Sequence, residues 1–288
     1  MAANLPNQEA AMSHASTTQV IPADLTLEAD LNLAAATRIH HRWQAGARLQ
    51  EQDGLLLHQG SLPIPAPFMN TVMRLDAQVP ATEVLRRARA FFAGSSNPFA
   101  PVLFMRRDVD IASLLSTEGC TLQADIALML TEQPSSATPL PEGWHLQLVE
   151  GRGQAPGVAS PELPGFVACC AQAYASLGLP AFMTPFFFTQ AEQVLQPEVS
   201  LVLARRGDEP PAGAAMVLHT GDMAGLYWVA TRPEARGQGL AAACTVAATN
   251  LALERGAKAV ALQASPMGAP VYRRLGWREY DRLQRWSC

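Results

Sequence analysis

Six residues, Arg236-Gly237-Gln238-Gly239-Leu240-Ala241, have the make-up of an anion cradle. An apolar stretch, Leu226-Tyr227-Trp228-Val229-Ala230-Thr231, precedes them, and an alanine-rich stretch follows. The pattern predicts strand, glycine turn and helix. The first amides of a helix have no acceptor within it, and the helix dipole adds positive potential there. Glycines remove Cβ atoms and let the backbone close on a ligand. Such an arrangement suits a phosphate or pyrophosphate. A P-loop would need Lys-Ser or Lys-Thr after the last glycine, which is missing. A dinucleotide fingerprint would need a third glycine, and the spacing stops at Gly237-x-Gly239.

A second constellation follows the predicted helix: Val260-Ala-Leu-Gln-Ala-Ser-Pro-Met-Gly-Ala-Pro-Val-Tyr-Arg-Arg-Leu-Gly-Trp277. It reads as a strand, a polar turn at Ser265 and a short helix carrying Tyr272 ahead of Gly276. Together, Arg-x-x-Gly-x-Ala and the later Tyr-x-x-x-Gly-Trp resemble the two signatures of the GNAT superfamily of N-acetyltransferases. The resemblance implies that Arg236, Gly237, Gln238, Gly239, Leu240 and Ala241 hold the pyrophosphate of acetyl-CoA. It implies that the backbone of Val229, Ala230 and Thr231 pairs with the pantetheine arm. Tyr272 would be the general acid that protonates the departing thiolate. Ser265 would hydrogen-bond the coenzyme or cap the helix after it.

The chain departs from the family in one respect. Its members often carry a Glu on the strand before the loop, and Gly225-Leu-Tyr-Trp-Val-Ala has no carboxylate. Ordered water, or a residue elsewhere such as His219, is left as the base; His219 reads foremost as an ordinary strand histidine. Tyr227, Trp228 and the cluster Phe182, Phe186, Phe187 and Phe188 are candidates to shape an acceptor pocket, with core packing the simpler role for the phenylalanines. The implied activity is acetyl transfer from acetyl-CoA to a primary amine of a small-molecule acceptor. The alternative is a non-catalytic acyl-CoA-binding or sensor protein.

These motifs need elements to position them. Residues 131–143 hold three prolines among Ser and Thr and read as a linker. Residues 144–288 follow it as the GNAT-like domain. Their elements are strands at 145–150, 199–205, 212–219, 224–230, 259–264 and 279–286, with helices at 161–177, 184–195, 239–255 and 269–275. Residues 1–22 read as a disordered tail. Residues 23–130 predict a helix at 25–44, strands at 54–58 and 68–75, a helix at 81–92, a strand at 101–105, a helix at 109–118 and a strand at 122–130. The last five of these repeat the last five elements of the other half. The fold class is therefore α/β, as tandem GNAT-like mixed-sheet domains. The first is a degenerate pseudo-domain: Asp76, with no glycine near it, stands where its phosphate loop would begin. The second has an intact acyl-CoA site.

The bulk numbers exclude other classes. A net charge of −4 with 16% charged residues argues against a nucleic-acid or anionic-membrane surface. No run is long and apolar enough to span a membrane, and the N-terminus does not read as a signal peptide, so a cytoplasmic location is expected. The cysteines, 5 in number, show no metal spacing and read as reduced, packed thiols. No metal is expected. His40 and His41, between Arg38 and Arg42, read as part of a solvated helix face. The sequence leaves the oligomeric state open.

Overall fold

The computed structural model describes residues 21–61, 69–95, 97–151 and 158–288. Most of the expected N-terminal tail, and the proline stretch with Phe68, lie outside the described residues. The chain runs through α1 (Ala23–Arg42), β1 (Arg48–Gln52), β2 (Leu55–Gln59), β3 (Asn70–Arg74), α2 (Ala81–Phe91), β4 (Ala100–Phe104), α3 (Val109–Thr117) and β5 (Thr121–Thr131). After residues 132–143 come β6 (Trp144–Glu150), α4 (Leu163–Ala175), β7 (Val199–Arg206), β8 (Gly213–Thr220), β9 (Met223–Thr231), α5 (Leu240–Glu254), β10 (Ala259–Ala264), α6 (Ala269–Arg274) and β11 (Arg278–Ser287).

The repeat is longer than the sequence suggested. The series β1-β2-β3-α2-β4-α3-β5 matches β7-β8-β9-α5-β10-α6-β11 in order. In each series the third and fourth strands are parallel, β3 with β4 and β9 with β10. The two halves share one 11-stranded sheet, ordered β1-β2-β3-β4-β11-β5-β10-β9-β8-β7-β6. The last strands are exchanged. β5 lies between β10 and β11, and β11 lies between β4 and β5, every contact antiparallel. A disulfide between Cys120, just before β5, and Cys288, just after β11, closes this crossing at its outer end. The reading of five reduced thiols is thereby corrected: three free cysteines remain, Cys169, Cys170 and Cys244, all buried.

Two further features join the halves. The helix α1 packs on β8 and β9. Its buried Asn32 donates to the Leu218 carbonyl (3.3 Å) and the Thr220 hydroxyl (2.8 Å), and it accepts from the Tyr227 hydroxyl (2.7 Å). Gly225 makes that approach possible, because a Cβ there would come within 2.0 Å of Asn32 Oδ1. At its end, Trp43 is fully buried against Phe188, with ring centroids 5.6 Å apart, and its indole donates to the Gln193 carbonyl. Truncating a buried Trp to Ala costs about 3–5 kcal/mol. An ion cluster of Asp30, Arg106 and Asp281 ties α1 to the loop after β4 and to β11.

One expected helix is absent. Residues 184–195 form two 3₁₀ stretches, Ala181–Phe188 and Ala191–Gln193. Tertiary contacts override the local helix signals. Phe187 and Phe188 both enter the core from adjacent positions, and the Gln190 amide donates to the Trp43 carbonyl. The strand β1 had no counterpart in the sequence reading.

The exchange of β5 and β11 predicts how the chain divides. A fragment of residues 140–288 has β10 and β11 with no β5 between them. It is expected to show no cooperative thermal transition and to be poorly soluble. Co-expression with residues 1–139 is expected to restore a folded, copurifying pair; a stable fragment 140–288 on its own would contradict the need for the exchanged strand.

Candidate functional site

The site is built around a parting of two strands. β9 and β10 pair in parallel only from Met223↔Ala259 to Leu226↔Leu262. Beyond that, among the described residues, the β10-facing edge of β9 from Tyr227 to Thr231 has no strand partner. A bulge turns β9 away: Ala214 pairs with Ala230 and Met216 with Tyr227, so Trp228 and Val229 oppose Ala215 alone. Trp228 takes φ +51°, a left-handed conformation that costs a non-glycine residue about 1–3 kcal/mol. Side chains hold it there. The indole packs among Phe187 (5.3 Å), Phe188 (5.1 Å) and Tyr174 (5.5 Å), and its N–H donates to His40 Nε2 at 3.3 Å. Tyr174 on α4 donates its hydroxyl to the Val229 carbonyl (3.2 Å), satisfying a backbone group within the bulge.

The strand leads into the glycine loop. Gly237 and Gly239 take φ +77° and +79°, which other residues rarely adopt, and Gly239 is the N-cap of α5. The first amide of α5 to return to the chain is that of Ala243, bonded to the Gly239 carbonyl. Among the described residues, the backbone amides from Gly237 to Ala242 have no hydrogen-bond acceptor. Arg236 directs its guanidinium back to the Ala173 carbonyl and Ser176 hydroxyl at the end of α4, anchoring the loop. The far end of α5 closes in a Schellman arrangement: the Gly256 amide donates to Leu253 and the Ala257 amide to Ala252. Alanines along α5 and Gly213 on β8 bring this helix close to the sheet; a Cβ on Gly213 would stand 3.1 Å from Leu240 Cβ. The β10-facing edge of β9 and, beyond an internally bonded turn at 232–236, the free amides of the loop follow one another along the backbone. The buried Thr231 hydroxyl, unpartnered among the described residues, lies on this edge.

Tyr272 is buried on α6, its ring packed on Trp277 at 5.9 Å. Burial pushes its phenol up to about 12, so it is protonated at neutral pH. Ser265 accepts from the Gly268 amide at 3.1 Å, the capping role. His219 lies on β8 at 3.4 Å from Arg255, and burial and that cation hold it down at about 4. The free thiols are no nucleophiles: burial lifts Cys169 and Cys244 to about 12.

On the other side of the parting is a cleft between the halves. It is lined by α1, β2, β3, β9, β10 and β11, and it includes His40, His58, Tyr227, Gln263 and Arg285. The solvated-face reading of His40 and His41 is corrected here. Arg38 and Arg42 do face outward, paired with Glu51 and Glu198. His40 instead points into the cleft, and His41 packs edge-on against His58 at 5.6 Å. Sequence reasoning missed His58 and Arg285, which sit singly on strands without a motif. Of the expected phenylalanine cluster, Phe187 and Phe188 are core residues and Phe187 also lines the cleft, whereas Phe186 is half-buried and Phe182 is exposed, so neither role expected for the cluster extends to Phe182. Among the described residues, no group of three or more His, Cys, Asp or Glu could hold a metal ion, and no helix is long and apolar enough to cross a membrane.

Residues 170–285 match the family model described as an acetyltransferase (GNAT) domain. Residues 170–285 are a GNAT domain. A comparison with curated proteins finds no match. Among solved structures, a GCN5-related N-acetyltransferase from Kribbella flavida superposes with a TM-score of 0.65 at 21% identity, covering 93% of this chain and 96% of its own. A tandem GNAT protein from the clavulanic acid biosynthesis pathway does so with a TM-score of 0.57 at 15% identity, with the same coverages of 93% and 96%. A GCN5-related N-acetyltransferase from Sphaerobacter thermophilus gives a TM-score of 0.52 at 18% identity, covering 93% of this chain and 91% of that one. These likenesses extend over both halves, so the whole chain has the tandem GNAT fold.

The cleft histidines carry a pH prediction. Burial lowers His40 to about 3 and His58 to about 4, below the ordinary 6.5. Below pH 6.5 the unfolded chain takes up protons there that the folded chain refuses, so stability falls as pH drops toward 4. Melting temperatures measured from pH 7 to 4 are expected to fall less steeply for His58→Gln than for the unaltered protein; equal slopes would mean that His58 is not held neutral by the fold.

Proposed function

We propose that the protein is an acetyl-CoA-dependent N-acetyltransferase acting on a primary amine of a small molecule. The observation that carries this reading is the unpaired edge of β9 running into the unbonded amides of Gly237 to Ala242. Arg236, Gly237, Gln238, Gly239, Leu240 and Ala241 would take the pyrophosphate, and the backbone of Val229, Ala230 and Thr231 the pantetheine arm. Ser265 caps its turn and thereby supports Tyr272. The cleft between the halves would receive the amine, with the N-terminal half as its wall.

Acetyl-CoA bound there would supply the thioester that the amine attacks with loss of the C–S bond; the Tyr272 phenol would give its proton to the departing thiolate and recover one, through water, from the attacking amine. No Asp or Glu lines the cleft among the described residues, and His40 and His58 are too weakly basic to hold a proton at neutral pH. That lack of a side-chain base keeps one second reading in play, a non-catalytic acyl-CoA sensor. Release of free thiol with an amine panel separates the two.

Two substitutions test the proposal. Gly239→Asp is expected to abolish acetyl-CoA binding, read by calorimetry as loss of a single site per chain, because a carboxylate would meet the pyrophosphate. Two sites in the unaltered chain would contradict the assignment to the C-terminal half. Tyr272→Phe is expected to lower kcat about 10²-fold, the low end for general acid catalysis, with coenzyme affinity little changed. Unaltered turnover would reduce Tyr272 to a packing residue.

A further inference from the structure

The cleft holds polar groups that the acyl-transfer chemistry does not use. Arg285 lies on β11, paired through its backbone with Val102 of β4 and Ala124 of β5. Its side chain enters a cavity of about 130 Å³. Among the described residues it makes no ion pair and no side-chain hydrogen bond, whereas Arg74, Arg106, Arg205 and Arg255 all meet carboxylates. Burial with no acid nearby pulls the guanidinium down to about 10, so it stays charged at neutral pH. His58, only 4% exposed, has an unpartnered Nε2 in the same cavity, as does the Oε1 of Gln44, also 4% exposed. Arg285 itself is half-buried, while His58 and Gln44 are buried; an unpartnered buried imidazole or amide is costly, and a ligand that completes these bonds and pairs the guanidinium removes part of that cost.

We propose that this cavity is a carboxylate subsite, in which Arg285 and His58 receive the carboxylate of the amine acceptor, so that the acceptor is an amino acid or a related amino carboxylate. The substrate class rests on the transferase reading; the subsite itself does not. Charge selects the ligand. Among the described residues Arg285 is the one charged group in the lining, and the histidines are neutral, so a monoanion is balanced and a phosphate dianion is not. The planar guanidinium fork matches a carboxylate in two parallel bonds. The volume suits a carboxylate with a short chain. A cation is disfavoured by Arg285 and by the Trp228 indole, which occupies His40 Nε2. Tyr227 and Gln263, where β9 and β10 part, line the same cavity. A ligand held at Arg285 therefore extends its other end toward the opening that the acetyl group would reach.

The test uses the full chain and amines that differ at one end: γ-aminobutyrate, its amide, n-butylamine and aminopropylphosphonate. The expected ratio of kcat/KM for acid over amide is about 10- to 100-fold, the worth of one charge-assisted hydrogen-bonded contact. In Arg285→Gln the ratio is expected to fall to about 1, and in Arg285→Lys, which keeps charge but loses the fork, to lie between. Should Arg285→Gln fail to fold, His58→Phe, on a different strand, is expected to lower the ratio severalfold. A ratio near 1 in the unaltered protein, a ratio unmoved in folded variants, or a preference for the phosphonate would each overturn the subsite. Ligand-induced melting shifts without acetyl-CoA separate the two proposals. Stabilisation by γ-aminobutyrate but not its amide, lost in the variants, upholds the subsite even if no amine is acetylated, and then only the transferase reading fails. No stabilisation and no acid preference sinks the subsite alone.

Discussion

The organisation of the molecule depends on a parallel strand pair that stops short. β9 and β10 share a ladder only through Leu226 and Leu262, and then separate. Every backbone group released there needs a partner or a reason to remain open. The bulge at Trp228 provides the turn away, and aromatic packing from α4, the Phe187–Phe188 segment and α1 holds a conformation that is unfavourable in isolation. One face of the parting leads to the glycine loop, the other to the cleft with Arg285. Neither surface would exist if the ladder continued to its end.

The exchange of β5 and β11 makes the two halves one folding unit. Their cores also interpenetrate: Ala36, Ile39, Trp43 and Met69 belong to the same apolar cluster as Phe166, Cys170, Phe188 and Leu203. The stretch 132–143 is equally embedded, because Ser135 and Asn250 of α5 exchange two hydrogen bonds. Relative motion of the halves would break sheet ladders, so the cleft between them is a rigid feature. Strands fix Arg285 and His58 there more firmly than loops would.

Local requirements were legible in the sequence and long-range ones were not. The loop could be read because Gly237 and Gly239 meet a need that lies within the loop, positive φ. β10 could be read from its short apolar run and its bounds. β1, with the sequence Arg-Leu-Gln-Glu-Gln, is a polar and mostly exposed edge strand, so it carries no apolar signal. The strand exchange has no local signature at all, since β5 would show the same pattern beside either partner. The disulfide joins cysteines 168 residues apart in a chain with an odd cysteine count, which spacing cannot pair. His40 misled for a similar reason. Its helix neighbours Arg38 and Arg42 are solvated, but the helix lies with one flank on another half of the protein, and flanks cannot be assigned before the partner is known.

The two halves treat the same parting of strands differently. In the N-terminal half the parallel pairing is shorter still, Thr71↔Ala100 and Val72↔Pro101, so β3 and β4 also part. There the gap is filled from within. Arg74, 3% exposed at the end of β3, donates to Asp108 at 2.9 Å, to Asp110, and to the Arg107 and Val79 carbonyls. Asp76 then closes the following turn by accepting from the Gln78 amide at 2.9 Å. A side-chain guanidinium thus takes up carbonyls and carboxylates at the place where the other half leaves strand edge and amides open. A buried pair of this kind is weak as a source of net stability, since desolvation offsets much of its attraction. Its effect is geometric: it fixes β3 against α3 and so fixes β2, which carries His58 into the cleft. The two halves use one topology in opposite ways, the C-terminal one turning the Tyr227–Thr231 edge off the ladder and the N-terminal one packing Arg74 across the corresponding place.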